Sequence, residues 1–137
     1  MKEIENLLPH RHPFLFVDEI ISANQDEIVG IKTFDESIEF FNGHFPKLKI
    51  VPGTILVESM AQCGGAGVNK IKTKSNGLFS LATIESVKFH KPVECGQTVK
   101  TVVKNIRIGE KAIKQSGISY VNDISVAEAT WMCVKLP

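Results

Sequence analysis

Two side chains that can transfer protons lie in one stretch of this chain, residues 40–68, FFNGHFPKLKIVPGTILVESMAQCGGAGV. His44 stands in a loop bounded by Gly43 and Pro46, and Glu58 stands in an apolar run that predicts a buried helix. Histidine has an ordinary pKa of about 6.5, so it can take up and return a proton near neutral pH. The pair therefore predicts acid/base chemistry.

Gly53 adds a site for negative charge. It lies at or just before the first turn of the predicted helix, where backbone N–H groups lack intrahelical partners and the helix dipole favours an anion. A histidine base, a carboxyl group and such an amide are the groups needed to remove a proton beside a thioester carbonyl and expel a β-hydroxyl.

The helix that positions these groups is predicted from Ile55 to about Lys70. Thr54 is a candidate N-cap, and the following lysines complement the C-terminal end of the helix dipole: Lys70, Lys72 and Lys74. Apolar residues cover most of its circumference, so we expect other elements to surround it.

Glu58 and Gln62 are one helical turn apart and share a face. The same stripe contains Thr54, Ala61 and Gly65. A narrow polar stripe among small residues suits the wall of a cleft. A lone helical glutamate more often reaches solvent or pairs with a lysine, but the apolar neighbours favour the cleft, since burying an unpaired carboxylate costs several kcal/mol or raises its pKa.

Glycines cluster in the second half of the helix, at Gly64, Gly65 and Gly67. Each costs roughly 1 kcal/mol relative to alanine. Either another backbone or an elongated ligand approaches closely here, or the helix frays and ends. The sequence leaves both explanations open.

The remaining histidines and the cysteines form no metal-binding pattern. His10, His12 and His90 are expected to be structural or exposed, because HxH without a third ligand is weak support for a metal. The widely spaced cysteines fit reduced thiols in a cytoplasmic protein better than a disulfide framework or a zinc site. They are Cys63, Cys95 and Cys133.

The rest of the chain predicts a short helix and six strands. The helix covers residues 2–7, a hairpin pairs residues 14–21 with 28–34, and four strands follow at 78–89, 98–108, 112–121 and 125–134. One long apolar helix with these strands predicts an α+β fold, in which an antiparallel sheet curls around a central helix.

The overall composition is that of a globular protein. Residues 1–137 fit a single domain with 43% apolar and 23% charged residues, and the formal net charge of +1 offers no field for nucleic acid or an anionic membrane. No apolar run is long enough to span a bilayer, and the start lacks a secretory pattern, so a cytoplasmic location is expected.

Several ordered motifs resemble the FabZ type of 3-hydroxyacyl-acyl-carrier-protein dehydratases, which have the hotdog fold. These are GHFP at 43–46, VPG at 51–53 and the ExxAQ run at 58–62. The likeness extends to LPHRHPF at 8–14 with VD at 17–18, VKFHKPV at 87–93 and VAEA at 126–129. It covers nearly the whole chain.

The resemblance implies that His44 abstracts the C2 proton of a (3R)-hydroxyacyl thioester and that Glu58 protonates or orients the departing hydroxyl. The Gly53 amide would bind the thioester oxygen, and Gln62 would hold Glu58. No metal or organic cofactor is implied. The acyl chain would run along the helix beside Gly65, between strands that contribute Phe79 or Phe89.

In this family the histidine and the glutamate come from different subunits, so the resemblance implies a homodimer with sheets joined edge to edge. Many members assemble further, into a trimer of dimers. The substrate would arrive on acyl carrier protein. Lys47 and Lys49 could meet this acidic partner or its phosphopantetheine phosphate, although loop lysines are more often only solvated.

Three departures from the family pattern leave the acyl substrate open: Lys49 in place of a usual proline, CGQ at 95–97 in place of a PGD-like turn, and His12 where tyrosine is common. A specialised acyl or polyene pathway is as open as ordinary fatty acid biosynthesis. Two alternatives remain, a hotdog acyl thioesterase and a non-catalytic acyl-binding subunit. The presence of both His44 and Glu58 favours the dehydratase.

Overall fold

The computed structural model describes residues 2–72 and 77–137. Within these described ranges, two helices, one 3-10 turn and six strands follow each other. They are α1 (Lys2–Leu7), β1 (Glu19–Ala23), β2 (Glu27–Thr33), the 3-10 turn (Glu39–Asn42), α2 (Gly53–Ile71), β3 (Phe79–Phe89), β4 (Thr98–Ile108), β5 (Ala112–Val121) and β6 (Ile124–Lys135).

The six strands form one antiparallel sheet in the order β1-β2-β4-β5-β6-β3. Helix α2 packs against all six strands. Asn122 and Asp123 both have positive φ, 51° and 65°, in the two-residue turn between β5 and β6. Such a turn matches the right-handed twist of a hairpin. The predicted α+β class and sheet-wrapped helix are confirmed.

The last four strands agree with their predicted bounds to within one residue, but β1 begins later than residue 14. The backbone before it is held by helix side chains instead of by a strand. Phe16 N–H donates to Gln62 Oε1 at 2.8 Å, and Ser59 Oγ donates to the Phe16 carbonyl at 2.8 Å. Aromatic and β-branched composition alone could not distinguish a strand from an extended segment that is held by side chains of the helix.

Helix α2 begins at Gly53, and the expected N-cap role of Thr54 is wrong. Pro52 occupies the N-cap position without a side-chain cap bond, and its carbonyl accepts from Ile55 N–H at 2.9 Å. A proline fixes the chain direction here without needing a capping hydroxyl. At the other end Lys70 lies in the last turn, whereas Lys74 falls outside the described residues.

Two of the helix glycines mark close contacts with the sheet. A Cβ on Gly67 would lie 2.3 Å from Ile28 Cγ2, and a Cβ on Gly64 would lie 2.1 Å from Gln115 Oε1. Gly65 differs, because its nearest neighbour would be Leu8 Cδ2 at 3.8 Å. The helix does not fray here. Glycine is needed at positions 67 and 64 because side chains of β2 and β5 pack closely against them. The close neighbour is neither another backbone nor a ligand.

Across residues 2–72 and 77–137, no helix combines the length and the apolar character that crossing a membrane requires.

Candidate active site

A cavity of about 320 Å³ runs along one side of α2. Its helical wall consists of Glu58, Ala61, Gln62, Gly65 and Asn69. Residues at these spacings lie above one another on one face of a helix. The expected cleft wall around Glu58 is confirmed, although Thr54 is not part of it.

Strands supply the opposite wall of the cavity, and most of their contributions are apolar. They are Phe79, Ser80 and Leu81 from β3, Ile113 and Gln115 from β5, and Cys133 from β6. The N-terminal segment, the residues before β3 and the C-terminal end complete the lining with Leu8, Pro9, His10, Gly77, Leu78 and Leu136. The shape and composition suit an acyl chain that enters beside Glu58.

Glu58 is held in place by Gln62. Gln62 Nε2 donates to Glu58 Oε2 at 2.9 Å and also to the Phe14 carbonyl at 3.1 Å, and Gln62 Oε1 accepts from Phe16 N–H. Because the Phe14 carbonyl can only accept and the Phe16 amide can only donate, the orientation of the Gln62 amide is fixed. The Glu58 carboxyl therefore has one oxygen anchored and its other oxygen free to face a ligand.

His10 also reaches this site. Its Nε2 lies 3.8 Å from Glu58 Oε2, and its Nδ1 is buried without a hydrogen-bond partner in the described part of the chain. The sequence assigned His10 a structural or exposed position. Only the path of the N-terminal segment across α2 brings it to Glu58, and the LPHR motif was the one signal that could have pointed to it.

The His44 ring has a defined tautomer in this geometry. Its Nδ1 lies 3.1 Å from the Ile50 carbonyl, and the ring stacks on Phe45 with centroids 4.1 Å apart. Because a carbonyl only accepts, Nδ1 carries the hydrogen and Nε2 of the neutral ring keeps a lone pair. Such a nitrogen can act as a base.

His44 and Glu58 do not meet within one subunit. His44 does not line the cavity that contains Glu58, and the groups that approach the Glu58 carboxylate within the described residues are Gln62 and His10. The two predicted proton-transfer residues thus face different places in a single chain.

Gly53 opens α2, and no residue that the structure describes accepts a hydrogen bond from its N–H. A Cβ on Gly53 would lie 2.8 Å from Phe89 Cζ. The Phe89 ring therefore packs directly on the glycine Cα, and any larger residue would have to displace it.

The two phenylalanines proposed for the acyl tunnel lie in different places. Phe79 lines the cavity together with Gly65, whereas Phe89 covers Gly53 and does not contribute to this lining. They occupy opposite ends of β3, which at about 3.3 Å per residue extends over roughly 30 Å. Within one chain, Phe79 and not Phe89 borders the cavity beside Glu58.

No group of three or more histidine, cysteine or acidic side chains among residues 2–72 and 77–137 is arranged to hold a metal ion. Cys63, Cys95 and Cys133 are all free thiols. Of the three, Cys133 is the one that lines the cavity.

Cys133 offers a chemical measure of the cavity electrostatics. Burial and the negative charge of Glu58 raise the pKa of the Cys133 thiol to about 11. A raised thiol pKa means less reactive thiolate at a given pH. Replacing Glu58 with glutamine removes one cause, so alkylation of Cys133 by iodoacetamide at alkaline pH should become a few-fold faster, as measured by peptide mass spectrometry.

Cys63 is the internal control for this experiment, because burial alone raises its pKa to about 12. Its alkylation rate should not respond to Glu58→Gln. Equal Cys133 rates in the wild-type protein and the variant would contradict the placement of the Glu58 carboxylate beside this thiol.

Residues 8–130 match the model of the FabA-like domain family. A 3-hydroxyacyl-acyl-carrier-protein dehydratase FabZ from Solibacter usitatus is 41% identical over 134 residues, which cover 97% of this chain and 83% of that protein. The FabZ of Fusobacterium nucleatum is 40% identical over 134 residues, which cover 96% of this chain and 94% of that protein. This chain belongs to the FabZ-type dehydratases.

Solved structures show that the hotdog fold extends beyond FabZ-type dehydratases. The dehydratase heterocomplex ApeI:P from Xenorhabdus doucetiae has a TM-score of 0.82 at 16% identity and covers 98% of this chain and 91% of that chain. A hypothetical thioesterase with coenzyme A from Streptococcus pneumoniae has a TM-score of 0.69 at 13% identity, covering 98% and 94%. The fold alone therefore does not separate dehydratases from thioesterases, whereas the family membership does.

Proposed function

We propose that this FabZ-type dehydratase uses His44 and Glu58 to convert a (3R)-3-hydroxyacyl thioester of acyl carrier protein into the trans-2-enoyl thioester. The reaction belongs to fatty acid or related acyl biosynthesis. The observation that carries the proposal is an acidic side chain, Glu58, anchored by Gln62 at the wall of an otherwise largely apolar cavity beside an apolar helix. No metal or organic cofactor takes part.

His44 acts as the base. The Ile50 carbonyl holds the hydrogen on Nδ1, which leaves the Nε2 lone pair to take a proton from C2 of the thioester. The electrons left at C2 shift toward the thioester carbonyl and then form the C2–C3 double bond.

Glu58 acts as the acid toward the hydroxyl on C3. Because its Oε2 already accepts the Gln62 N–H, Oε1 is the oxygen that carries the transferable proton when Glu58 is in its acid form. This proton moves to the departing hydroxyl, the C3–O bond breaks and water leaves. The Gly53 N–H, which is free at the start of α2, stabilises the negative charge that develops on the thioester oxygen.

The site is shared between two subunits of a homodimer. Support comes from His44, which does not face the cavity of its own chain, and from β3, an 11-residue strand at the edge of the sheet. Ile84 and Phe89 are exposed on this strand. Pairing β3 with β3 of a second copy would cover them and satisfy the free backbone groups of the edge. Further assembly into a trimer of dimers stays an expectation from the family resemblance.

The substrate is delivered by acyl carrier protein to a cytoplasmic enzyme, in which residues 1–137 form a single domain. Lys47 is exposed in the loop that carries His44, where a cation can approach an acidic carrier or its phosphate. Three free thiols fit a reducing compartment, and one continuous core extending from Ile4 to Trp131 supports a single domain.

The reaction test compares enoyl formation with thiol release on the same 3-hydroxyacyl carrier substrate. A dehydratase forms the enoyl thioester and keeps the thioester bond intact. Release of free carrier thiol without enoyl formation would identify a thioesterase instead, and neither product would identify a non-catalytic acyl-binding subunit.

Mixing His44→Ala with Glu58→Ala tests the shared site. Each variant lacks one group in both sites of its own dimer, whereas a hybrid dimer has one complete site and one site lacking both groups. After random exchange, half of the dimers are hybrids, so activity should return to about a quarter of the wild-type value. The two variants are denatured and refolded together, and a tag on one of them verifies that the subunits have exchanged. No recovery in verified hybrids would contradict a site shared between subunits.

A further inference from the structure

Gln115 places a polar group in a largely apolar part of the cavity. It lies on β5 facing Gly64 of the helix, lines the cavity and is only 1% exposed. Neighbouring lining residues such as Leu81 and Ile113 are apolar. A buried amide in such surroundings normally has all its hydrogen-bonding groups paired.

The hydrogen bonds around Gln115 fix which way its amide points. Gln115 Nε2 donates to the Gly64 carbonyl at 3.2 Å and to Asn105 Oδ1 at 2.8 Å. Asn105 Nδ2 in turn donates to the carbonyls of Asn24 and Gln25, at 3.2 and 3.1 Å. Because three backbone carbonyls can only accept, neither amide can be reversed without placing acceptor against acceptor.

Gln115 Oε1 is therefore left over as a hydrogen-bond acceptor. No donor in the part of the chain described by the structure reaches it. It lies against Gly64, where a Cβ would approach to 2.1 Å, so the glycine makes room for this oxygen. An apolar acyl chain that covered Oε1 would leave it without water and without a donor, which carries an energetic cost.

The position of Gln115 relative to Glu58 indicates where along the acyl chain a polar group would meet Oε1. Gly64 lies six residues after Glu58 on α2, which corresponds to ~9 Å along the helix axis. A group that meets Gln115 Oε1 therefore lies about this far along the helix axis from the level of Glu58.

We propose that Gln115 is a specificity-determining residue whose Oε1 accepts a hydrogen bond from a second hydroxyl group in the distal part of the acyl chain. The preferred substrate class is then a 3-hydroxyacyl thioester that carries a further hydroxyl toward the distal end of its acyl chain, displaced from C3 by ~9 Å along the axis of α2. This inference rests on the proposed function, since it requires the acyl chain to lie in this cavity.

Matched substrates test the proposal on the wild-type enzyme. Carrier-bound 3-hydroxyacyl chains of equal length, ending in a hydroxyl or a methyl group, are compared over a series of lengths. A purely apolar cavity rejects the hydroxyl. With Gln115 as acceptor, kcat/KM should instead be roughly tenfold higher for the hydroxylated chain at one length, mainly through KM. A methyl preference at every length would overturn the proposal.

Two variants test whether the preference for the hydroxylated chain comes from Gln115 Oε1. Gln115→Met keeps the side-chain length but removes the acceptor, so the hydroxyl preference should disappear. Asn105→Ala is the matched control: it weakens the same network, yet Gln115 can still donate to Gly64 and present Oε1, so the preference should persist. A preference that survives in folded Gln115→Met, or that disappears in both variants, would contradict the role of Oε1.

The outcomes also separate this inference from the proposed function. If neither chain is dehydrated, the proposed function fails. If both chains are dehydrated with equal kcat/KM at every length, the dehydratase stands and the role of Gln115 is refuted, with Oε1 then satisfied by trapped water.

Discussion

Replacing His44 with alanine is expected to lower the rate of dehydration by roughly 100-fold or more, because general acid/base groups typically contribute that much. Glu58→Ala should have an effect of similar size. In the proposed mechanism, His44 carries the lone pair that removes the C2 proton, and Glu58 supplies the proton that converts the hydroxyl into water. Single-turnover measurement of enoyl thioester formation checks both, because it isolates chemistry from product release.

Two controls make this result specific. His12→Ala removes an exposed histidine of the LPHRHPF segment at 8–14 and should leave the rate close to wild type. Glu58→Gln preserves the shape of the side chain, so a similar loss there would show that the acidic proton, and not packing, is required. Wild-type rates in folded His44→Ala and Glu58→Ala would show that the site is assigned to the wrong residues.

Gly67→Ala is expected to destabilise the fold by about 2 kcal/mol. The added methyl group would meet three atoms of the buried Ile28 side chain at 2.3 to 2.6 Å. Overpacking of this kind costs up to about 3 kcal/mol, and the better helix propensity of alanine returns about 1 kcal/mol. In a domain of this size the Tm should fall by roughly 6 °C, which calorimetry at a fixed protein concentration measures.

Gly65→Ala provides the matched comparison two residues away. Its methyl group would meet only Leu8 at 3.8 Å, an ordinary contact, so stability should stay the same or rise. The methyl group would instead enter the cavity, and kcat/KM for long acyl chains should fall. Equal destabilisation by the two substitutions would contradict the packing of Ile28 against Gly67.

The strands and the long helix were predictable because their signals are local. Residues 98–108 and 112–121 alternate between the two faces of the sheet, and turn residues separate them, so the bounds followed directly. Helix α2 could be recognised from its proline-free apolar run. Its start was placed two residues late because Pro52, and not the hydroxyl of Thr54, determines where the helix begins.

The contacts of the candidate site were less predictable because they depend on long-range packing. Gln62 could be paired with Glu58 from helical spacing alone. His10 and Gln115 reach the cavity from segments far away in sequence, and nothing near either residue indicates its partner. Likewise, Phe79 and Phe89 look alike in sequence, and only the length of β3 separates the cavity from the start of α2.

The attachment of the N-terminal segment to α2 has a spectroscopic consequence. Phe16 N–H donates to the same Gln62 amide that anchors Glu58, and this bond joins side chain to backbone instead of two strands. Amide hydrogens exchange with solvent when such a bond opens locally, without unfolding of the whole domain. The exchange rate of the Phe16 amide therefore reports how often the N-terminal segment separates from Gln62, the residue that also holds the Glu58 carboxyl group.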